Sequence, residues 1–299
     1  MSIQPITRRE FIRGTAALSL SSAAVVSGAA DAAAEPRWQI GCYTRPFDQH
    51  DYLTALDAIA EAGYRYCGIM TAKGKSWVIV TVDTTPEEAA RIGSAVKQRG
   101  LRVLSIYGGD FPVAKSVEAG VAGLKRLIDN CRACGASNLM LGGIANEKLY
   151  QPYFKVVAEC CEYAASQGVG LSVKPHGGQN ATGAQCRKAI ELVAHGTFRL
   201  WYDPGNIFYY SDGKLDPVDD CTAVDGLVVG MSVKDFKPPK EVMVTPGTGK
   251  VDFGKVLARL RQGGFVRGPL IVECLDRGDL KNTIEQARKA RRFLEELTG

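Results

Sequence analysis

Four short polar clusters follow apolar runs and carry residue types that move protons: Lys174-Pro175-His176-Gly177-Gly178, Tyr202-Asp203-Pro204-Gly205-Asn206, Ser232-Val233-Lys234-Asp235 and Val272-Glu273. A carboxylate such as Glu273 can take or return a proton, and a lysine ammonium such as Lys174 can stabilise the oxyanion that forms when a carbon beside a carbonyl is deprotonated. His176 offers a second acid or base, while Asp203 can orient a substrate or a metal ion. Asn206 and Tyr209 follow Asp203 closely enough to hold hydroxyl groups, and Lys234 and Arg277 are further candidate substrate contacts. Arg277, Lys240 and Arg45 are candidates for an anionic group, and Tyr43 and Trp77 for stacking on a ligand face.

Each residue also has a structural reading. Asp-Pro-Gly-Asn is a run of turn formers, Lys174 can snorkel from a strand end, and Lys234-Asp235 resembles a surface ion pair. Glu273, after four apolar residues, would be buried at a cost unless partnered, and Lys174 is the partner expected for it. His195 ends a helical stretch, where it meets terminal carbonyls and is assigned a structural role.

Positioning these clusters calls for a particular scaffold. Short apolar runs at 38–43, 65–69, 102–107, 138–141, 170–174, 198–202, 227–233 and 269–273 alternate with helical periodicity at 52–62, 86–99, 117–134, 150–167, 183–194, 253–262 and 280–297. The sixth helix, within 217–224, is the weakest. Several helices end at glycine before the next strand, as at Gly63, Gly100, Gly135 and Gly168. No glycine-rich nucleotide loop follows the first strand, so the pattern predicts a single-domain (β/α)8 TIM barrel rather than a doubly wound sheet. Its polar clusters then meet at the C-terminal ends of the strands, where the long segments 71–85 and 235–250 shape the mouth.

At 299 residues, 45% hydrophobic and 23% charged, the chain has the balance of a soluble globular protein. A net charge of +5 with no dense basic run leaves no footprint for nucleic acid, so a small molecule is the expected partner; a homo-oligomer stays open. Thr7-Arg8-Arg9-Glu10-Phe11-Ile12 is a twin-arginine export pattern, followed by an apolar stretch at 14–30 and by Ala32-Ala33-Ala34. Residues 1–34 are thus expected to be a signal peptide and 35–299 the barrel, exported to the periplasm or the extracellular space without a stable membrane anchor. Proteins exported by this route fold first, so the nine irregularly spaced cysteines, Cys131-Arg132-Ala133-Cys134 included, are expected to be free and buried.

With Pro246-Gly247-Thr248-Gly249-Lys250-Val251-Asp252-Phe253 and Gly268-Pro269-Leu270-Ile271-Val272-Glu273, the four clusters make the mature chain resemble the xylose-isomerase-like superfamily of sugar isomerases, epimerases and lyases, the AP-endonuclease-type barrels. The resemblance implies a sugar or keto-sugar substrate, proton abstraction beside its carbonyl, and one divalent cation (Mn, Mg, Co or Zn) on Glu, Asp, His and Glu at the ends of strands five to eight. Asp203 and Glu273 match that pattern, whereas Lys174 stands at the first Glu and Ser232 at the His. Two alternatives follow: a cation retained by Asp203, Glu273, His176 and solvent, or a metal-free site in which Lys174 supplies the charge. Isomerase or epimerase is the leading expectation; a keto-glycoside lyase or dehydratase and a non-catalytic carbohydrate-binding barrel are the alternatives. An endonuclease would need many His and acidic ligands, and this chain has three histidines.

Overall fold

The computed structural model describes residues 37–299; the twin-arginine pattern and the small residues after it lie outside them. Eight parallel strands pair in chain order and close into a barrel: β1 Trp38–Tyr43, β2 Tyr66–Ile69, β3 Arg102–Tyr107, β4 Asn138–Leu141, β5 Gly170–Val173, β6 Phe198–Tyr202, β7 Val228–Val233 and β8 Gly268–Val272. Closure is made by β1 against β8, in register from Trp38 opposite Gly268 to Cys42 opposite Val272. β2 and β4 are buried along their whole length, as expected of strands covered by side chains inside and helices outside.

The helices are α1 Tyr52–Glu61, α2 Pro86–Gln98, α3 Val117–Ala133, α4 Tyr150–Ser166, α5 Gly183–Val193, α6 Pro204–Tyr210, α7 Pro217–Asp220, α8 Phe253–Gln262 and α9 Leu280–Thr298. Their starts are written in local chemistry. Asp51 accepts from the backbone N–H groups of Leu53 and Thr54, and Thr85 with Glu88 closes a reciprocal cap on α2. Their ends are equally local: Gly63, Gly100, Gly135 and Gly168 all take positive φ, between 68° and 85°, which turns the chain back toward the next strand.

The expected TIM barrel is therefore the observed fold, with strand limits within about a residue or two of those read from the sequence. The sixth unit is the exception. Its first helix is α6, which begins directly after β6 because Asp203 caps it and Pro204 occupies its first turn; α7 and a 3-10 turn at Cys221–Val224 follow. The nine cysteines are free and buried. Within the CxxC motif, Cys131 and Cys134 donate to the carbonyls of Ala136 and Ala89, and burial raises both thiols, which makes them packing groups. Among the described residues no helix is long and apolar enough to cross a membrane.

Candidate active site

Strands β5, β6, β7 and β8 each end one residue before a charged side chain, so Lys174, Asp203, Lys234 and Glu273 occupy equivalent positions around half of the barrel mouth. All four are almost fully buried. Their order gives alternating sign, and the four groups meet. Lys174 Nζ lies 2.8 and 2.7 Å from the two Glu273 oxygens and 3.0 Å from Asp203 Oδ2. Lys234 Nζ lies 2.6 Å from Glu273 Oε1 and 3.0 Å from Asp203 Oδ2, and donates to Asn206 Oδ1 at 3.0 Å. Arg45 Nη1 adds a longer contact of 3.3 Å to Glu273 Oε1.

Asn206 is held from both sides. Its backbone N–H donates to Asp203 Oδ1 at 2.9 Å, and its side-chain amide donates to the Pro175 carbonyl at 2.6 Å, which ties α6 to the loop after β5. A side chain at Gly205 would place its Cβ 2.7 Å from the Lys234 stem and from the Lys234 carbonyl, so α6 can press against that lysine only with glycine there. Asp235 does not face the cavity. It accepts from the backbone N–H groups of Phe236, Gly247, Gly249 and Val251 at 2.8–3.0 Å and so folds the loop after β7 behind Lys234.

These contacts set the charge state. Burial pushes the Glu273 carboxyl up, but Lys174, Lys234 and Arg45 outweigh it and hold the group well below the usual carboxylate range. Burial opposes the Lys234 ammonium, and Asp203 and Glu273 more than offset that, raising it above an ordinary lysine. His176 moves the other way: burial, then Lys174 and Lys234, lower it to about 4, so it is a neutral imidazole at pH 7. Its ring stands between Tyr107 and Tyr210, with centroids 6.3 and 5.9 Å away.

Above the ion pairs is a cavity of about 240 Å³, lined among others by Arg45, Thr71, Trp77, Tyr107, His176, Tyr209 and Tyr210. Ligand pockets commonly run to roughly 300–1,000 Å³, which bounds the occupant here to a small molecule. Larger hollows of about 480 and 630 Å³ lie at Asn138 and Trp201, and beside α2, but neither gathers buried charges.

The structure thus brings together Lys174, His176, Asn206, Tyr209, Lys234 and Glu273 at one cavity, with Asp203 beneath it. It corrects Arg277, which is exposed beyond β8 and does not line the cavity. Lys240 pairs with Asp212 at 2.8 Å and lies over Tyr209, and Tyr43 is packed inside the barrel with its hydroxyl toward Met140 sulfur. His195 is structural, but through other partners than the helix-terminal carbonyls: beyond the end of α5 it meets Glu162 at 2.9 Å and accepts from the Thr197 N–H. Lys234, expected as a substrate contact or a surface ion pair, is instead a full member of the buried cluster. Ser232 sits two residues earlier on the same face of β7, buried one layer down, and Lys234 reaches the mouth in its place.

The expected metal set, Asp203, Glu273 and His176, is not assembled. Each of the four carboxylate oxygens already accepts from an ammonium or a backbone N–H, and a divalent ion there would stand beside two ammonium groups. Among the described residues no group of three or more His, Cys, Asp or Glu side chains gathers to hold a metal. The donor set does not fit a divalent cation.

A closed parallel barrel with buried acids and lysines at its C-terminal mouth defines the class: a TIM-barrel protein with an enzyme-like site. The sequence model of the xylose isomerase-like TIM barrel matches residues 56–297, and the chain belongs to that family. An inosose dehydratase of Klebsiella pneumoniae is 27% identical over 154 residues, 46% of this chain; the chain spans about half the length of the curated relatives it matches. Among solved structures, a D-psicose 3-epimerase superposes with a TM-score of 0.69 at 14% identity, covering 87% of this chain and 99% of that one. A 3-keto-D-glucoside 4-epimerase from E. coli gives 0.65 at 15% identity, covering 87% and 99%.

Proposed function

We propose that this protein is an enzyme that removes a proton beside the carbonyl of a sugar or keto-sugar, with lysine ammonium groups in place of a metal ion. The observation that carries this reading is the pair of buried lysines, Lys174 and Lys234, which bridge Asp203 and Glu273 at the barrel mouth. In the free protein their charges are spent on each other. A substrate carbonyl entering the cavity takes hydrogen bonds from the ammonium groups, which weakens their hold on Glu273 and restores its basicity. The C–H bond then breaks toward Glu273, its electron pair forms the enediolate double bond, and the carbonyl oxygen becomes an oxyanion beside Lys174 and Lys234.

Return of a proton to the same or the neighbouring carbon gives an epimer or an isomer, and expulsion of a β-substituent gives an eliminated product. His176 supplies the second acid or base, and Asn206 and Tyr209 hold hydroxyl groups. The epimerases among the structural neighbours support the first outcome, and the inosose dehydratase relative supports elimination. The twin-arginine pattern supports an exported enzyme acting on a free or oxidised sugar or a glycoside, and mass measurement of the mature chain, expected to begin after Ala34, tests it.

Exchange of the substrate's α-hydrogen for deuterium, followed by NMR across ketoses and keto-glycosides, tests the chemistry. Wild-type protein exchanges, and Glu273→Gln lowers kcat about 10²- to 10⁴-fold with a smaller change in KM. Sugar binding without any exchange in the wild type would instead make this a carbohydrate-binding barrel.

A further inference from the structure

Of the polar groups in the cavity that the proton transfer leaves unused, two carry a buried atom without a partner. Arg45 lies in the 3-10 turn Arg45–Phe47 just after β1, with a side chain 22% exposed. Its contact to Glu273, at 3.3 Å, is the longest that this carboxylate receives, and its Nε is buried with no partner. Thr71, just beyond β2 and 2% exposed, likewise has a buried hydroxyl with no partner. Both residues line the same cavity. A desolvated guanidinium N–H and a threonine hydroxyl left unpaired both lack an acceptor, and the planar fork of arginine suits a carboxylate.

The charge balance points the same way. Arg45, Lys174 and Lys234 face Asp203 and Glu273, so the buried cluster carries one positive charge more than it cancels. His176 is neutral at pH 7, and Tyr107 is pushed up to about 12 by burial. Asp48 acts on Arg45 from the rim, but it is only half-buried and accepts from the Trp77 indole at 3.3 Å.

We propose that Arg45 and Thr71 form a subsite for a carboxylate carried by the substrate, which makes the substrate a sugar acid, a uronate or keto-aldonate, rather than a neutral sugar. The inference rests on the proposed proton abstraction for the identity of the site but is tested without turnover. Calorimetric binding of hexuronates, the matching hexoses and hexose 6-phosphates is compared for wild type, Arg45→Gln, Arg45→Lys and Thr71→Val at one ionic strength, with thermal melting to confirm folding. The expected result is a preference for hexuronate over hexose of roughly 10- to 100-fold. Arg45→Gln erases that preference, while Arg45→Lys and Thr71→Val each keep part of it.

Equal affinity for acid and neutral sugar, or a loss in Arg45→Gln that is the same for both, overturns the subsite. Neutral ketoses would then still exchange their α-hydrogen, leaving the reaction class standing. Tighter binding of the phosphates than of the hexuronates overturns the carboxylate in favour of a phosphorylated sugar. A clear hexuronate preference with no exchange on any keto-sugar supports the subsite and sinks the reaction class instead.

Discussion

The residue that follows each strand is Thr44, Met70, Gly108 or Gly142 in the first half of the barrel, and Lys174, Asp203, Lys234 or Glu273 in the second. The first half is closed by neutral groups: Thr44 is fully buried and its hydroxyl accepts from the Met70 N–H at 3.0 Å, with no charge involved. The second half places four ions at the same level. Neutral side chains suffice to end a strand here, so the alternating charges are not a requirement of the fold. Buried ion pairs are a poor way to gain stability, since desolvation can exceed the attraction, which makes their chemistry the better reason for them.

The sharpest way to break this contrast is to remove one ion. Lys234→Ala leaves Asp203 and Glu273 short of a partner and is expected to cost about 3–5 kcal/mol, a fall in Tm of roughly 6–20 °C, together with loss of turnover. Thr44→Val is the matching change in the first half. It leaves the Met70 N–H unpaired and is expected to cost about 1–3 kcal/mol, with α-hydrogen exchange retained. If the two variants lost the same stability and the same activity, the division between the halves would fail.

Acidification separates the halves more gently. The folded protein holds His176 at about 4 against an ordinary 6.5, so the unfolded chain binds that proton first and stability falls as pH drops below about 6.5. Glu273 is held below its ordinary 4.5, so its contribution is present above that value and is lost as pH falls further. Asp220, which burial raises to about 6, has the opposite sign in that window, so the test is a difference: in denaturant melts from pH 8 to 3, His176→Gln should lose less stability than the wild type between about pH 6.5 and 4. The smallest expected effect is that of Arg277→Ala, which is exposed and should change stability by no more than about 0.5 kcal/mol and leave exchange unaltered.

Lys174, Asp203 and Glu273 were legible in the sequence because each follows a short apolar run, and a charge there must be either solvated or paired. Lys234 follows such a run too, but with Asp235 beside it the pair imitates a surface salt bridge. What separates the two residues is long-range: Asp235 turns away to backbone N–H groups 12 to 16 residues on, and its partners give no local signal. The helix α6 had a signal that went unused, Asp followed by Pro, which reads equally as a turn and as a cap. Arg277 lies outside the cavity because five residues past a strand the chain can already have left the mouth, and nothing in the run Cys274-Leu275-Asp276 fixes its direction. Outside its sixth unit the barrel was legible because its periodicities and terminal glycines are local.

The most direct measurement is α-hydrogen exchange by protein whose metal content is determined before and after exhaustive chelation. If Lys174 and Lys234 are the cations of this site, the rate is unchanged by chelation and by added Mn, Mg, Co or Zn, and it collapses in Lys174→Met. Activity that disappears with a bound ion near one per chain, and returns when that ion is restored, would contradict it.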